Sequence, residues 1–328
     1  MTREIQLQDI QGVNIGHAED LEAKTGVTVL AFPQGARAGV DISGGGPASR
    51  ETPVISPLTN DVPVNAIVLS GGSAFGLAAS DGVMACLEER GMGYNTGFAL
   101  VPIVCQSCIY DLGYGSGKIR PDKEMGYKAC AHALDCNQHP EGNFGAGTGA
   151  TVGKIAGMDR ASKAGAGIYA VEVAGLQMAA IAVVNALGDV FHHTTGEKIG
   201  GITSQDRSGW ANIQDILYSV PSPQNTSTRS NTTIAAIITN GDFSKTQLTK
   251  LAAMATNAYP RCINPVGTLA DGDAVYAASV GTHPADLNMA GTLAAQVLAE
   301  AIQRAVIKAR ILEEEFLANI AGKQGERK

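Results

Sequence analysis

The run Ser230-Asn231-Thr232-Thr233 is a place where this chain could do chemistry on itself. A threonine hydroxyl is a weak nucleophile until a base sits beside it. A threonine at a chain terminus carries that base in its own α-amino group, with a pKa of about 7.7 to 8.0. Thr232 is internal. It becomes terminal only if its hydroxyl attacks the carbonyl of Asn231 and the resulting ester is hydrolysed. The flanking sequence suits such a step. Residues 219–231 are too rich in Pro, Ser, Thr and Asn for a regular element and read as an exposed linker, while residues 232–240, Thr-Thr-Ile-Ala-Ala-Ile-Ile-Thr-Asn, read as a central strand. A second pattern is Asp271-Gly272-Asp273. In extended backbone, residues i and i+2 face one way, so both carboxylates could converge on an amine while Gly272 lets another group approach the main chain. Each pattern has an ordinary alternative: a Thr-rich strand start at 232, and a plain Asp-Gly turn before a strand at Ala274.

Other motifs carry less. The loop Gly145-Ala-Gly147-Thr-Gly149-Ala-Thr-Val-Gly153-Lys154 suggests a phosphate cradle, but a Walker A loop needs Gly where Thr148 stands and Ser or Thr where Ile155 stands. A dinucleotide fingerprint would want a clear preceding strand and a third Gly at Ala150. Gly71-Gly-Ser73-Ala-Phe75 misses the final Gly of an esterase nucleophile elbow, and Gly44-Gly-Gly46 lacks the His of a lipase oxyanion loop. Histidines 17, 132, 139, 192, 193 and 283 form no metal-binding spacing. Cys105-Gln-Ser-Cys108 is a CxxC, but it lies in an apolar run and its nearest companions, Cys130 and Cys136, are not a second CxxC, so core thiols are expected. No cofactor and no metal is implied.

The elements that must position Thr232 and the two acids alternate along the chain. Residues 26–32 and 62–69 read as strands, the second running through Ser70-Gly-Gly-Ser73 into a helix over 74–89. Residues 169–184 form an apolar block of strand material buried on both faces. Ser244 with Gln247 makes a capping box, and Phe243 with Leu248 a hydrophobic staple, opening a helix to about Tyr259. A strand over 274–280 and one long amphipathic helix over 287–321 follow. Interleaved strands and helices without a repeat make the class α/β or layered α+β.

The formal charge of −7 without a Lys/Arg-rich run argues against nucleic acid and anionic membrane as partners. Pro63, Asn65 and several Ser and Gly interrupt the one stretch, 62–80, worth testing as a span. The first residues lack the apolar core of a signal peptide, and six cysteines in 328 residues are no disulfide framework, so a cytoplasmic location is expected.

In chain order the blocks Gly12-Val-x-Ile-Gly16, Leu69-Ser-Gly-Gly-Ser-Ala-Phe-Gly-Leu77, Ile109-Tyr110-Asp111, Pro121-Asp-Lys123 with Gly126, the Gly145–Lys154 loop, Val184-Asn185, Asn231-Thr-Thr-Ile234 and Asp271-Gly-Asp273 span nearly the whole chain. This ordered set resembles the DmpA-type family of self-processing aminopeptidases (L-aminopeptidase/D-esterase), including the endo-type nylon-oligomer hydrolases. The resemblance implies an αββα sandwich like that of N-terminal-nucleophile hydrolases. It implies one domain, 1–328, cut between Asn231 and Thr232 into an α chain 1–231 and a β chain 232–328. By the same resemblance Thr232 is the nucleophile, Asp271 and Asp273 hold and polarise its amino and hydroxyl groups, Asn185 and Tyr110 donate to the developing oxyanion, and Lys154 is a positive neighbour of the acids. The substrates implied are short peptides or amino-acid amides, or alternatively 6-aminohexanoate oligomers. Asp271 leans toward the latter, because aminopeptidase members typically carry Ser at that position. A homo-oligomer, tetramer or larger, is also implied. A further alternative is an unprocessed, non-catalytic binding protein of the same fold.

Overall fold

The computed structural model describes residues 2–219 and 231–321. The expected linker, residues 219–231, lies outside them except at its two ends. The principal strands are β1 (Asn14–Asp20), β2 (Thr25–Ile42), β3 (Val64–Ser70), β4 (Val104–Cys108), β5 (Ala166–Val173), β6 (Leu176–Asn185), β7 (Thr232–Gly241) and β8 (Ala274–His283). The principal helices are α1 (Ala79–Glu89), α2 (Lys123–Asp135), α3 (Lys245–Ala255) and α4 (Leu287–Ile307).

Two sheets stack face to face, joined by the long strand β2. Its second half pairs antiparallel with β8, which runs parallel to β7, and β7 pairs antiparallel with β6 and β6 with β5. Its first half pairs antiparallel with β1 and β3, and β3 runs parallel to β4. Side-chain alternation along β7 explains why residues 234–238 in its middle are apolar without a break. Ile234, Ala236 and Ile238 enter the core between the sheets, against Leu30, Phe32, Ile67 and Leu69, while Ala235 and Ile237 face the helical layer of α3 and α4. On the far face of the other sheet, α1 and α2 pack over Val27, Val29, Ala66 and Val68. The order is helices, sheet, sheet, helices, which is the αββα sandwich expected.

Three elements differ from the sequence reading. The apolar block at 169–184 is a hairpin, β5 and β6, turning at Ala174 and Gly175 with φ of 49° and 85°. An Ala in the left-handed region gives no warning of a turn. The helix over 74–89 opens as a tighter turn, Ser73–Ala78, before α1 begins. The long C-terminal helix stops at Ile307, and a separate short helix, Glu313–Ala318, follows. The interruption docks on Gly142, where a Cβ would stand 2.4 Å from the Lys308 carbonyl, and Asn143 Nδ2 donates to the Ala309 carbonyl at 3.2 Å. The capping box is present as expected, Ser244 N–H donating to Gln247 Oε1 at 2.9 Å. Cys105 and Cys108 are buried in β4, their thiols pushed up to about 12 by burial.

Candidate active site

Thr232 is the first residue of β7, and its register partner on β6 is Asn185, the last residue of that strand. The period of two puts both on the face that looks between the sheets, as for their neighbours Ile234 and Val183. Beside them the parallel ladder of β7 and β8 opens. Asn231 bridges Asp271 and Ile234 pairs with Ala274 in the same register, but the residues between are bonded by other means. Thr233 N–H donates to Asp273 Oδ1 at 2.6 Å, and Gly267 N–H to Asp273 Oδ2 at 3.1 Å. Asp271 Oδ2 accepts from Thr268 N–H at 2.8 Å and Thr268 Oγ1 at 2.6 Å. The Asp273 carboxylate thus reaches Thr232 through its neighbour Thr233, the Asp271 carboxylate braces its own loop through Thr268, and the Thr232 hydroxyl donates to the carbonyl oxygen of Asn231. That same oxygen accepts from Gly272 N–H at 3.0 Å.

Nothing local to residues 271–273 signals what fixes the acid loop. Gly44 to Gly46, far away in the chain, cross it at backbone distance. Ser43 and Gly44 N–H donate to the Asp273 carbonyl at 3.1 and 3.2 Å, and Gly46 N–H to the Asp271 carbonyl at 2.8 Å. A Cβ at Gly44 would stand 2.3 Å from the Asp273 nitrogen, so only glycine fits. Asp111, in the block Ile109-Tyr110-Asp111, carries no local signal either. It is buried, accepts from Thr25 Oγ1 at 2.6 Å and from Gly72 N–H at 2.7 Å, and lies where a Cβ at Gly149 would touch it. It thereby ties together the Gly71–Gly72 turn and the Gly145–Lys154 loop, whose glycines serve close backbone packing.

Lys154, Asn185 and Tyr110 meet at the end of β6. Lys154 Nζ donates to the Asn185 carbonyl at 2.8 Å, Asn185 Nδ2 donates to the Tyr110 carbonyl at 2.9 Å, and Asn185 Oδ1 accepts from Thr151 N–H at 3.0 Å. One amide N–H of Asn185 is thus engaged by Tyr110, and Tyr110 enters this network through its main chain. All six expected residues lie in one connected region. A cavity of about 440 Å³ lined by Trp210, Arg310 and Phe316 includes none of them.

The electrostatics center on a buried cation among buried acids. Burial pulls Lys154 down to about 7 against the pull of Asp271, Asp111 and Asp273. Burial, and then the charge of Asp271, pushes Asp273 up to about 7 against its two backbone N–H donors and Lys154. Removing Lys154 removes a charge that favors ionized Asp273, so the Asp273 pKa rises. In Lys154→Met, the acid limb of any rate that needs the Asp273 carboxylate moves to higher pH by about one unit, read from the midpoint of the pH–rate profile.

This chain belongs to peptidase family S58, whose model matches residues 6–315. It is 33% identical to an uncharacterized aminopeptidase of Mycobacterium leprae, over 92% of this chain and 90% of that one. It is equally 33% identical to a 6-aminohexanoate-oligomer endohydrolase of a Kocuria species, over 87% of this chain and 77% of the relative. Among solved structures, a Burkholderia β-aminopeptidase matches with a TM-score of 0.66 at 20% identity, covering 94% of this chain and 88% of the other. The L-aminopeptidase D-Ala-esterase/amidase of Ochrobactrum anthropi, described as a variant of the Ntn hydrolase fold, matches with a TM-score of 0.66 at 18% identity, covering 97% and 94%.

Proposed function

We propose that this protein is a self-processing amide hydrolase whose nucleophile is Thr232. The observation that carries the reading is the Asn231 carbonyl, on which the Thr232 hydroxyl and the Gly272 N–H converge. Attack by Thr232 Oγ on the Asn231 carbon places negative charge on that oxygen, where the Gly272 N–H already donates. The C–N bond breaks, the Thr232 nitrogen leaves as an amine taking the hydroxyl proton, and water hydrolyses the ester to leave a carboxylate on Asn231. The new α-amine then serves as base for its own hydroxyl. Asp271 and Asp273 hold the amine, and Lys154 balances their charge. Each turnover has two halves: acylation of Thr232 Oγ with release of the substrate's amine, then hydrolysis of the acyl ester. A remaining N–H of Asn185 and the Tyr110 hydroxyl are the proposed donors to the substrate oxyanion. The chain acts as one domain, 1–328, divided into 1–231 and 232–328, in a homo-oligomer.

The preferred substrates are short peptides and amino-acid amides cut from the amino end, in keeping with the aminopeptidase relatives. The second reading, internal cleavage of 6-aminohexanoate oligomers, rests on Asp271 and on the endohydrolase relatives. Amino-acid p-nitroanilides and N-blocked 6-aminohexanoate oligomers given to the same preparation separate the two. An exopeptidase releases nitroaniline and leaves the blocked oligomer intact, whereas an endohydrolase shortens it. Failure on both removes the proposed activity.

A further inference from the structure

The opening of the ladder between β7 and β8 needs something to hold the two strand heads at a fixed separation. Asp273 does so from the loop side, through Thr233 N–H. The other side is held by Tyr259, which begins the short helix Tyr259–Cys262 following α3. Its ring is buried in the core between the sheet and the helical layer. Its hydroxyl stands 3.0 Å from the Thr233 carbonyl and 3.1 Å from the Ala274 carbonyl. Those carbonyls belong to the residues that directly follow Thr232 and Asp273. A phenol has one proton, so the two carbonyls share one donor, and both must stay within its reach.

From this geometry we infer that Tyr259 is a positioning residue for the reaction, spanning β7 and β8 behind the site and setting the separation of Thr232 from Asp273. It touches no reacting atom. A buried hydroxyl shared by two main-chain acceptors on adjacent strands transmits to the site whatever displacement either strand undergoes. The ring also fills the space below the opening, so a phenylalanine there keeps the packing and removes only the link. This inference rests on Thr232 and Asp273 acting together as proposed above.

The test compares Tyr259→Phe with Ile302→Val, a substitution in the same core cluster that lines no part of the site. Conversion of newly synthesized full-length chain to the cut form is followed in time, and kcat and KM are measured on the finished protein. The expected result for Tyr259→Phe is processing and kcat each about 10- to 100-fold slower, KM within about twofold, and a melting temperature close to that of Ile302→Val. A loss of packing alone would leave the two variants alike, and processing and kcat within about twofold of the Ile302→Val values overturn the inference. Hydrogen exchange on uncut Thr232→Ala, with and without Tyr259→Phe, provides a readout independent of rate. Exchange about tenfold faster, confined to amides near 232–235 and 272–276, is expected, and no local difference overturns the inference. Thr232→Ala also separates the two readings. Hydrolysis by that variant overturns the nucleophile and this role with it, whereas an inert Thr232→Ala beside a Tyr259→Phe chain that matches the control overturns the role of Tyr259 alone.

Discussion

Thr232→Ala stays a single chain and loses hydrolysis by at least about 10⁴-fold, while Thr232→Ser still cuts itself and keeps activity within about tenfold. The asymmetry follows from what each side chain retains. Alanine removes the hydroxyl that donates to the Asn231 carbonyl, and with it both the attacking oxygen and the event that creates the α-amine. Serine retains the oxygen and loses only a methyl group at a strand head where Thr232 is already buried. The fold tolerates both, since the pairing of β7 with β6 is made by the backbone. Time courses of chain cleavage and of product release for the two variants check this. Appreciable hydrolysis by Thr232→Ala would assign the nucleophile to another group.

Gly272→Ala produces the second large effect without removing any functional group. A Cβ at Gly272 would stand 2.8 Å from Thr232 Oγ1 and 2.9 Å from the Gly46 carbonyl. The backbone of Gly272 is outside the left-handed region, so alanine costs no strain of its own, and the whole effect comes from crowding. Either the hydroxyl rotates away from the Asn231 carbonyl or the glycine loop at 44–46 retreats and takes its hold on Asp271 with it. Both outcomes misplace a reacting atom by a fraction of an ångström or more. Self-cleavage about 100-fold slower is expected, with the melting temperature lowered by only a few degrees. A cut rate within about threefold of the parent chain would mean that the Gly272 region does not set the geometry of the step.

The parts of this site legible in the sequence are those whose signal is local. Thr232 opens a run of β-branched residues after a Pro/Ser/Asn-rich stretch, and Asp271-Gly-Asp273 immediately precedes a strand, so each is visible within about ten residues. The layered fold was legible for a similar reason, because strands buried on both faces and capped amphipathic helices carry their own patterns. What could not be read depends on contacts between segments distant along the chain. Nothing near Gly44 says that its backbone crosses Asp273, and nothing near Tyr259 says that its hydroxyl meets β7 and β8. The end of the C-terminal helix is the same kind of case. The amphipathic pattern carries the helix on to residue 321, and the docking of the Lys308 and Ala309 carbonyls against Gly142 and Asn143, just past Ile307, overrides it. The roles drawn from resemblance gain a physical setting here. The Lys154 ammonium is placed by the Asn185 carbonyl at the end of β6 and the Asn185 amide by the Tyr110 carbonyl, contacts between segments that the sequence alone could not bring together.

The most direct test is the intact mass of the purified wild-type chain under denaturing conditions, together with the N-terminal sequence of each species. The account predicts two chains in equal amount, with masses matching residues 1–231 and 232–328, the smaller beginning at Thr232. A single full-length chain from a preparation that hydrolyses amides would contradict it, because an internal Thr232 has no α-amine with which to act.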